Sequence, residues 1–332
     1  MMKLIHVRGK EEGISLDDYR VRNATCPPVA IPSFRREDKL CLQTLSLLRF
    51  YNWDMSRVHV FVDPQARRDD GSSEYDVYWR YMKDNSFGVV HLHPGGHGLC
   101  NQLNRIFEFF AAESKLVVMS DTVPTILMRR KRSFELEQLP QDDLQPLVPL
   151  AFALCKSINL RTWSLGSCKS APNMRPGIIS RKCGLLDGNF FGVDLTKTPR
   201  IHLDHSGYTS DVEFSVKAWV ADGGMIRFSG ISAMHQYRAS GGHAHNTTDA
   251  QAARERATDE SLKQLAEEHS RLLKFIGDKA CSHRGMKYKF RAIGPKPWKL
   301  FGTYCMRGRP TSSKKRPMTG AERVRKHRKL YK

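Results

Sequence analysis

The stretch "SKLVVMSDTVPTILMRR" (114–130) decides how this chain is read. Leu116, Val117, Val118 and Met119 are consecutive apolar residues without helical spacing. That is the pattern of a short, buried strand. The run stops at Ser120, Asp121 and Thr122, and the chain turns at Pro124. A carboxylate at the carboxyl end of a buried strand has two readings. Asp opens turns by accepting bonds from nearby backbone N–H groups. It can also hold a divalent cation against a phosphate-bearing ligand, because ligands of open α/β sheets sit beyond the carboxyl ends of the strands.

The preceding residues repeat the pattern. Val29–Ile31 read as a strand that stops at Pro32, and residues 37–51 as a helix whose Leu40, Cys41, Thr44, Leu45 and Leu48 share one face. "RVHVFVDP" (57–64) is a second strand ending in Asp63, and "SSEYDVYWRYMKD" a helix with Ser73 as its expected cap. "FGVVHLHP" (87–94) is a third strand, with His91 and His93 expected at the surface. Gly95, Gly96 and Gly98 make a turn into the helix "LCNQLNRIFEFF". Alternating strands and helices predict an α/β fold with a mostly parallel sheet. Three strand ends then offer polar groups: Ser33–Arg36, Asp63 and Asp121. An arginine fork suits phosphate, and an Asp accepts from a base or ribose.

After residue 130 the rhythm breaks. A helix and several strands predict a second lobe through "GIISRKCGLLDGNFFGV". "TSDVEFSVKAWVADGG" is a helix with Asp211 in its first turn, where the helix field favours an ionised carboxylate and a capping role is equally open. Glu213 competes with Asp211 as a proton acceptor, but two residues along a helix it points about 200° away. "MIRFSG" is a strand, and a long polar helix or helix pair is expected up to Gly277.

The net charge of +20 is uneven. From Ala280 to Lys332 there are 17 Lys and Arg against one acid, Glu322, so +16 lies in that segment. A nearly neutral body with a polyanion-binding tail is expected, and a solvated targeting tail is compatible with it. Eight cysteines lack CxxC spacing, so a zinc site is not expected and reduced thiols are. There is no apolar run long enough for a membrane span and no secretory stretch at the start, so the expected location is nuclear, or cytoplasmic in a prokaryote or virus.

"VAIPSFRREDKLCLQTLSLL", "VHVFVDP", "GGHGLCNQLNRI", "LVVMSDTVPTI" and "SDVEFSVKAWVADGGMIRFSGISAMHQYRASGG" together resemble the GT-A-fold nucleotide-sugar glycosyltransferases, and among these the TET/JBP-associated glycosyltransferases of DNA base hypermodification. The resemblance covers about residues 28–275. It implies a Rossmann-like, mostly parallel sheet with helices on both faces and a smaller acceptor-side sheet. The domains would be an extension (1–27), a glycosyltransferase domain (28–279, halves 28–130 and 131–279) and a basic tail (280–332). It implies that Pro32, Ser33, Arg35, Asp63, Gly98, Asn101, Gln102 and Arg105 border the nucleotide. Asp121 remains of the acidic metal motif, His235 is a further metal ligand in competition with His243 and His245, and Asp211 or Glu213 is the base. The implied ligands are Mn²⁺ or Mg²⁺ and a nucleotide sugar such as UDP-glucose. The implied acceptor is hydroxymethylated DNA, held by the tail of a monomer. A protein or glycan acceptor, or a catalytically weakened binding domain, are the alternatives. Three positions depart from the family: Ser120 and Thr122 flank Asp121 where further acids are usual, and Ser210 stands where a Glu is often found.

Overall fold

The computed structural model describes residues 5–7, 11–15, 26–130, 134–166, 171–204, 209–235, 248–275, 288–291, 293–294 and 298–301. In chain order these form β1 (Ile5–Val7), β2 (Glu11–Ser15), β3 (Val29–Pro32), α1 (Glu37–Lys39), a π-helical turn (Leu40–Leu45), α2 (Ser46–Phe50), β4 (Val58–Val62), α3 (Glu74–Asp84), β5 (His91–Pro94), α4 (Leu99–Phe109) and β6 (Leu116–Met119). There follow β7 (Thr125–Arg129), β8 (Leu136–Gln138), α5 (Leu144–Ser157), β9 (Thr162–Leu165), β10 (Ile178–Ser180), β11 (Phe190–Val193), α6 (Ser210–Asp222), β12 (Ile226–Phe228), β13 (Ile231–Met234), α7 (Thr248–Glu268), β14 (Leu273–Phe275), β15 (Tyr288–Phe290) and β16 (Trp298–Phe301).

Eleven strands share one sheet in the order β1-β2-β16-β10-β12-β9-β11-β6-β3-β4-β5. Eight of them run the same way, and β1, β10 and β11 run against them. The α/β architecture with a mostly parallel sheet is therefore present, and β7, β8 and β13 form the smaller sheet.

Strand alternation divides the core. Val29, Ile31, Val117, Met119 and Phe190 face one layer with Leu40 and Leu45 of the π-helical turn, Leu48 of α2, Tyr78 of α3 and Leu147, Leu150 and Leu154 of α5. Ala30, Leu116, Val118 and Phe191 face the other with Leu103 and Ile106 of α4, Val212 and Val216 of α6 and Leu265 of α7. Each apolar side chain taken fully out of water contributes roughly 1.5–3 kcal/mol. Trp163 is fully buried across β11 because Gly192 lacks a side chain. A Cβ there would lie 2.2 Å from the indole nitrogen.

Several expectations are corrected. The third strand is only His91–Pro94, because Phe87 and Val90 are tied into turns by bonds to Met82 O and Phe87 O. The helix expected over 37–51 contains the π-helical turn. Ser73 precedes α3 without a side-chain capping bond. The long polar helix ends at Glu268, and Leu273–Phe275 form a strand before Gly277. The second half contributes β9, β10, β11 and β12 to the main sheet, so both halves share one sheet. The extension supplies β1 and β2, and the basic segment supplies β15 and β16, with β16 beside β2. His91 is exposed as expected, but His93 is half-buried, its ring centroid 4.5 Å from that of Phe109 and its Nε2 2.9 Å from Nδ1 of His59. The Arg-rich end from residue 302, with His243 and His245, lies outside the described residues.

Candidate active site at the strand ends

β3, β4 and β6 are parallel neighbours. Their carboxyl ends therefore open onto one edge of the sheet and bring Ser33, Asp63 and Asp121 together. All three side chains are buried. Ser33 Oγ donates to Asp121 Oδ2 at 2.7 Å, and Arg36 Nη1 donates to Asp121 Oδ1 at 3.2 Å. Burial pushes the Asp121 carboxyl above its usual range, against the Arg36 charge and the bonds from Ser33 and Arg36. Tyr78 Oη lies 2.6 Å from Ser33 Oγ and accepts from Arg36 N at 2.9 Å. Tyr78, Ser33, Asp121 and Arg36 thus form one connected set.

Arg35 has a positive φ of 53°, a backbone state uncommon for a residue other than glycine. Its N–H donates to Glu74 Oε1, and its Nη2 to Arg67 O at 2.9 Å. Glu74 is fully buried, and Arg68 clamps it together with Glu37 through contacts of 3.1 and 2.6 Å. This ion-pair cluster fixes the loops after β3 and β4.

Asp63 Oδ1 accepts from Gln65 N, and its Oδ2 faces exposed His97 Nδ1 at 2.9 Å. Gly95 N donates to Val62 O, which holds the glycine turn against the end of β4. A Cβ on Gly96 would meet the Asn101 backbone at 2.8 Å, so glycine is needed where this turn folds onto α4. Gln102 is fully buried, its Nε2 donates to Ser33 O at 3.3 Å, and its Oε1 has no hydrogen-bond partner. Gly98 and Asn101 are on or beside the first turn of α4, with Asn101 bonded back to His97 O. Arg105 is one turn further on, exposed and paired with Glu108. Pro32 ends β3.

Asp211 reaches the same edge by another route. Ser120 N donates to Asn189 O, which places the loop before β11 beside the end of β6. A Cβ on Gly188 in that loop would lie 3.4 Å from Asp211 Cβ. Asp211 Oδ1 accepts from Val212 N at 2.8 Å, and the residue keeps an open face. Burial pushes its carboxyl up to about 6, against the favourable backbone bonds. Placement at a helix N-terminus favours the opposite direction; desolvation outweighs it here. Glu213 is fully buried and accepts from Asp204 N at 2.8 Å and from Lys217 Nζ at 2.7 Å. It ties α6 to the segment 201–204, while Asp211 faces Gly188.

A hard cation takes oxygen ligands and can share phosphate oxygens. A carboxylate has about four lone-pair sites, so the bonds from Ser33, Arg36 and the Phe34 backbone leave Asp121 room for about one more partner. Met234 pairs with Thr125, so His235 follows β13 opposite the turn after Asp121. Among the described residues no three His, Cys, Asp or Glu side chains converge as a metal cluster. Asp121 can offer oxygen to a cation whose remaining ligands a bound diphosphate supplies, and His235 stands beside the Thr125–Met234 pair at the end of β13. The Arg36 charge opposes that cation until the anion arrives.

Sequence reasoning missed Glu74, Tyr78, Arg68 and the Asp187–Gly188–Asn189 turn. The first three sit on or before α3, and their partners lie in other segments of the chain. "DGN" before an apolar run was a usable turn signal. A further polar link is Thr44 in the π-helical turn. Its Oγ1 donates to Ser120 O at 2.9 Å and accepts from Val123 N at 2.9 Å.

No protein-family model and no curated protein matches this sequence. Among solved structures, a mannosyltransferase from Pyrobaculum calidifontis in complex with GDP-mannose and Mn²⁺ is similar with 12% identity and a TM-score of 0.42, over 77% of this chain and 70% of that one. Glucosyl-3-phosphoglycerate synthase from Mycobacterium tuberculosis with Mn²⁺, UDP-glucose and phosphoglyceric acid gives 11% identity and a TM-score of 0.42, over 86% and 92%. A cytidylyltransferase from Leptospira borgpetersenii gives 13% and 0.34, over 58% and 73%. At such scores these likenesses carry no residue roles to this chain.

Proposed function

We infer that this protein transfers a sugar, glucose from UDP-glucose, to a hydroxyl on a modified DNA base such as a hydroxymethyl-pyrimidine. The observation that carries the transferase reading is the meeting of Ser33, Asp63 and Asp121 at parallel strand ends with Asp211 beside them. Gln102 Oε1, a buried acceptor without a partner, suits a donor N–H or O–H of the nucleoside. Asp121, with His235 as the further ligand, would hold Mn²⁺ or Mg²⁺, which would supply neutralisation of the diphosphate charge. Arg35 and Arg36 add fixed positive charge at the same edge. Asp211 accepts the proton of the acceptor hydroxyl as its oxygen bonds to the anomeric carbon. The bond from that carbon to the phosphate oxygen breaks, and the nucleoside diphosphate leaves with the electron pair. A carboxylate with a pKa of about 6 is ionised at neutral pH and basic enough for this step.

The DNA acceptor rests on the sequence resemblance and on the +16 carried by residues 280–332. A base inside a duplex has to leave the stack, which costs a few kcal/mol. A second reading, a nucleotide-binding domain without turnover, is favoured by the Asp121–Arg36 ion pair. Incubation with UDP-glucose, Mn²⁺ and hydroxymethylated DNA, followed by digestion and mass measurement of the nucleosides, tests both. A hexosylated nucleoside is expected. UDP release without it moves the acceptor to protein or glycan, and nucleotide binding without UDP release leaves the second reading.

A further inference from the structure

Away from the strand ends, one surface combines an exposed aromatic ring with several arginines. Phe134 lies between β7 and β8 and is 71% exposed. The Arg129 guanidinium lies 4.6 Å from the centre of its ring. Arg129 Nη1 donates to Met174 O at 2.7 Å, so the guanidinium backing the ring is itself fixed. Arg129 N donates to Gly230 O, and Arg175 N donates to the adjacent Ser229 O. The turn between β12 and β13 therefore sets exposed Arg175 beside the hairpin. Arg130 is 58% exposed and held by Glu137 at 2.6 Å. β7 and β13 connect the two places: Thr125 and Met234 pair at the strand-end site, and Met128 and Ile231 pair at this patch.

We propose that Phe134, Arg129, Arg130 and Arg175 form a binding surface for single-stranded or locally unpaired nucleic acid. The choice of partner class rests on the DNA acceptor inferred above. The ring is backed by a cation and flanked by charge, which suits a base and its phosphates better than an apolar protein face. Every base offers a π-face for such stacking, and arginines track the backbone. From Thr125 to Arg129 there are four strand steps of about 3.3 Å, about 13 Å in all. That run of strand separates the two places by a span of a few nucleotides.

The test uses the full-length chain and a short fluorescein-labelled thymidine oligonucleotide, read by anisotropy over a salt series. Phe134→Ala is expected to weaken binding roughly 5- to 150-fold, and Phe134→Trp to restore it. Arg175→Gln is expected to lower the salt slope by about 0.7. UDP affinity by calorimetry stays unchanged in all three variants. No binding by the wild-type chain, wild-type affinity in Phe134→Ala, or an unaltered slope in Arg175→Gln overturns the proposal. Oligonucleotide binding that responds as expected in a chain that transfers no sugar sinks the transferase reading alone.

Discussion

Replacing Asp211 by Asn separates catalysis from structure. Asn keeps the shape and can still accept from Val212 N, but it cannot take up a proton. General base catalysis contributes roughly 10²–10⁴-fold, so turnover falls at least about 10²-fold while UDP affinity holds. The stability effect has a definite sign. The Asp211 pKa is about 6 in the folded chain against 3.8 when unperturbed. A raised carboxylate leaves stability intact below pH 3.8 and removes it as pH rises from there through about 6. Two units correspond to about 3 kcal/mol at most, and water at the open face reduces this to about half. Asp211→Asn therefore melts at the same temperature as the wild type at pH 4 and at the same or a higher one at pH 8. In the wild type, kcat/KM rises with pH and levels off above about 6; the variant lacks that limb. Paired melting curves and pH–rate profiles measure both. Near-normal turnover with a lowered melting temperature at pH 8 would mean that Asp211 holds the helix end and is no base.

Asp121→Ala leaves the Arg36 guanidinium without its carboxylate and is expected to abolish Mn²⁺-enhanced UDP binding; unchanged metal dependence in titration calorimetry refutes that role. The wild type binds Mn²⁺ far more tightly with UDP present than without, because phosphate offsets Arg36; equal affinities argue against Asp121 as the ligand. Deleting Arg307–Lys332 removes eleven positive residues and one acid, so DNA binding weakens and its salt slope becomes shallower; identical salt dependence shows that the tail is no anchor. His59 has its pKa lowered to about 4 by burial and by His93 and His91. Its neutral form is the stable one, so stability is full above about 6.5 and declines as pH falls towards 4. His59→Phe flattens that decline in acid melting curves, and an unaltered pH dependence counts against the cluster.

The strand ends were legible because the two relevant patterns are local. An apolar run that stops at Asp predicts both the strand and where its carboxylate emerges, and Asp63 and Asp121 follow that rule. Their partners were not legible. Tyr78 is paired with Ser33 across 45 residues and Ser33 with Asp121 across 88, and no periodicity encodes such meetings. Glu74 opens α3, and residue order gives no sign that Arg68, shared with Glu37, lets it be fully buried. The shortened third strand shows the converse. Phe87–Val90 have strand composition, but the preceding helix captures Phe87 N. The ionisation of Asp211 needed the packing of Gly188 and the sheet edge, which residue order alone does not supply.

The π-helical turn at Leu40–Leu45 carries a constraint on how this chain can change. A π turn accommodates one more residue than the same length of α-helix. Deleting one residue there would relax the turn to regular geometry: the helix beyond it would keep its place, and the residues within the turn would shift. Thr44 would swing away from Ser120 O and Val123 N, the two groups that its hydroxyl now joins. Helix register and the seating of Asp121 are thus coupled through one oxygen. Length variation is tolerated far better in the loops flanking this helix than within it, and Thr44→Val, which keeps the shape but removes the bridge, isolates that coupling.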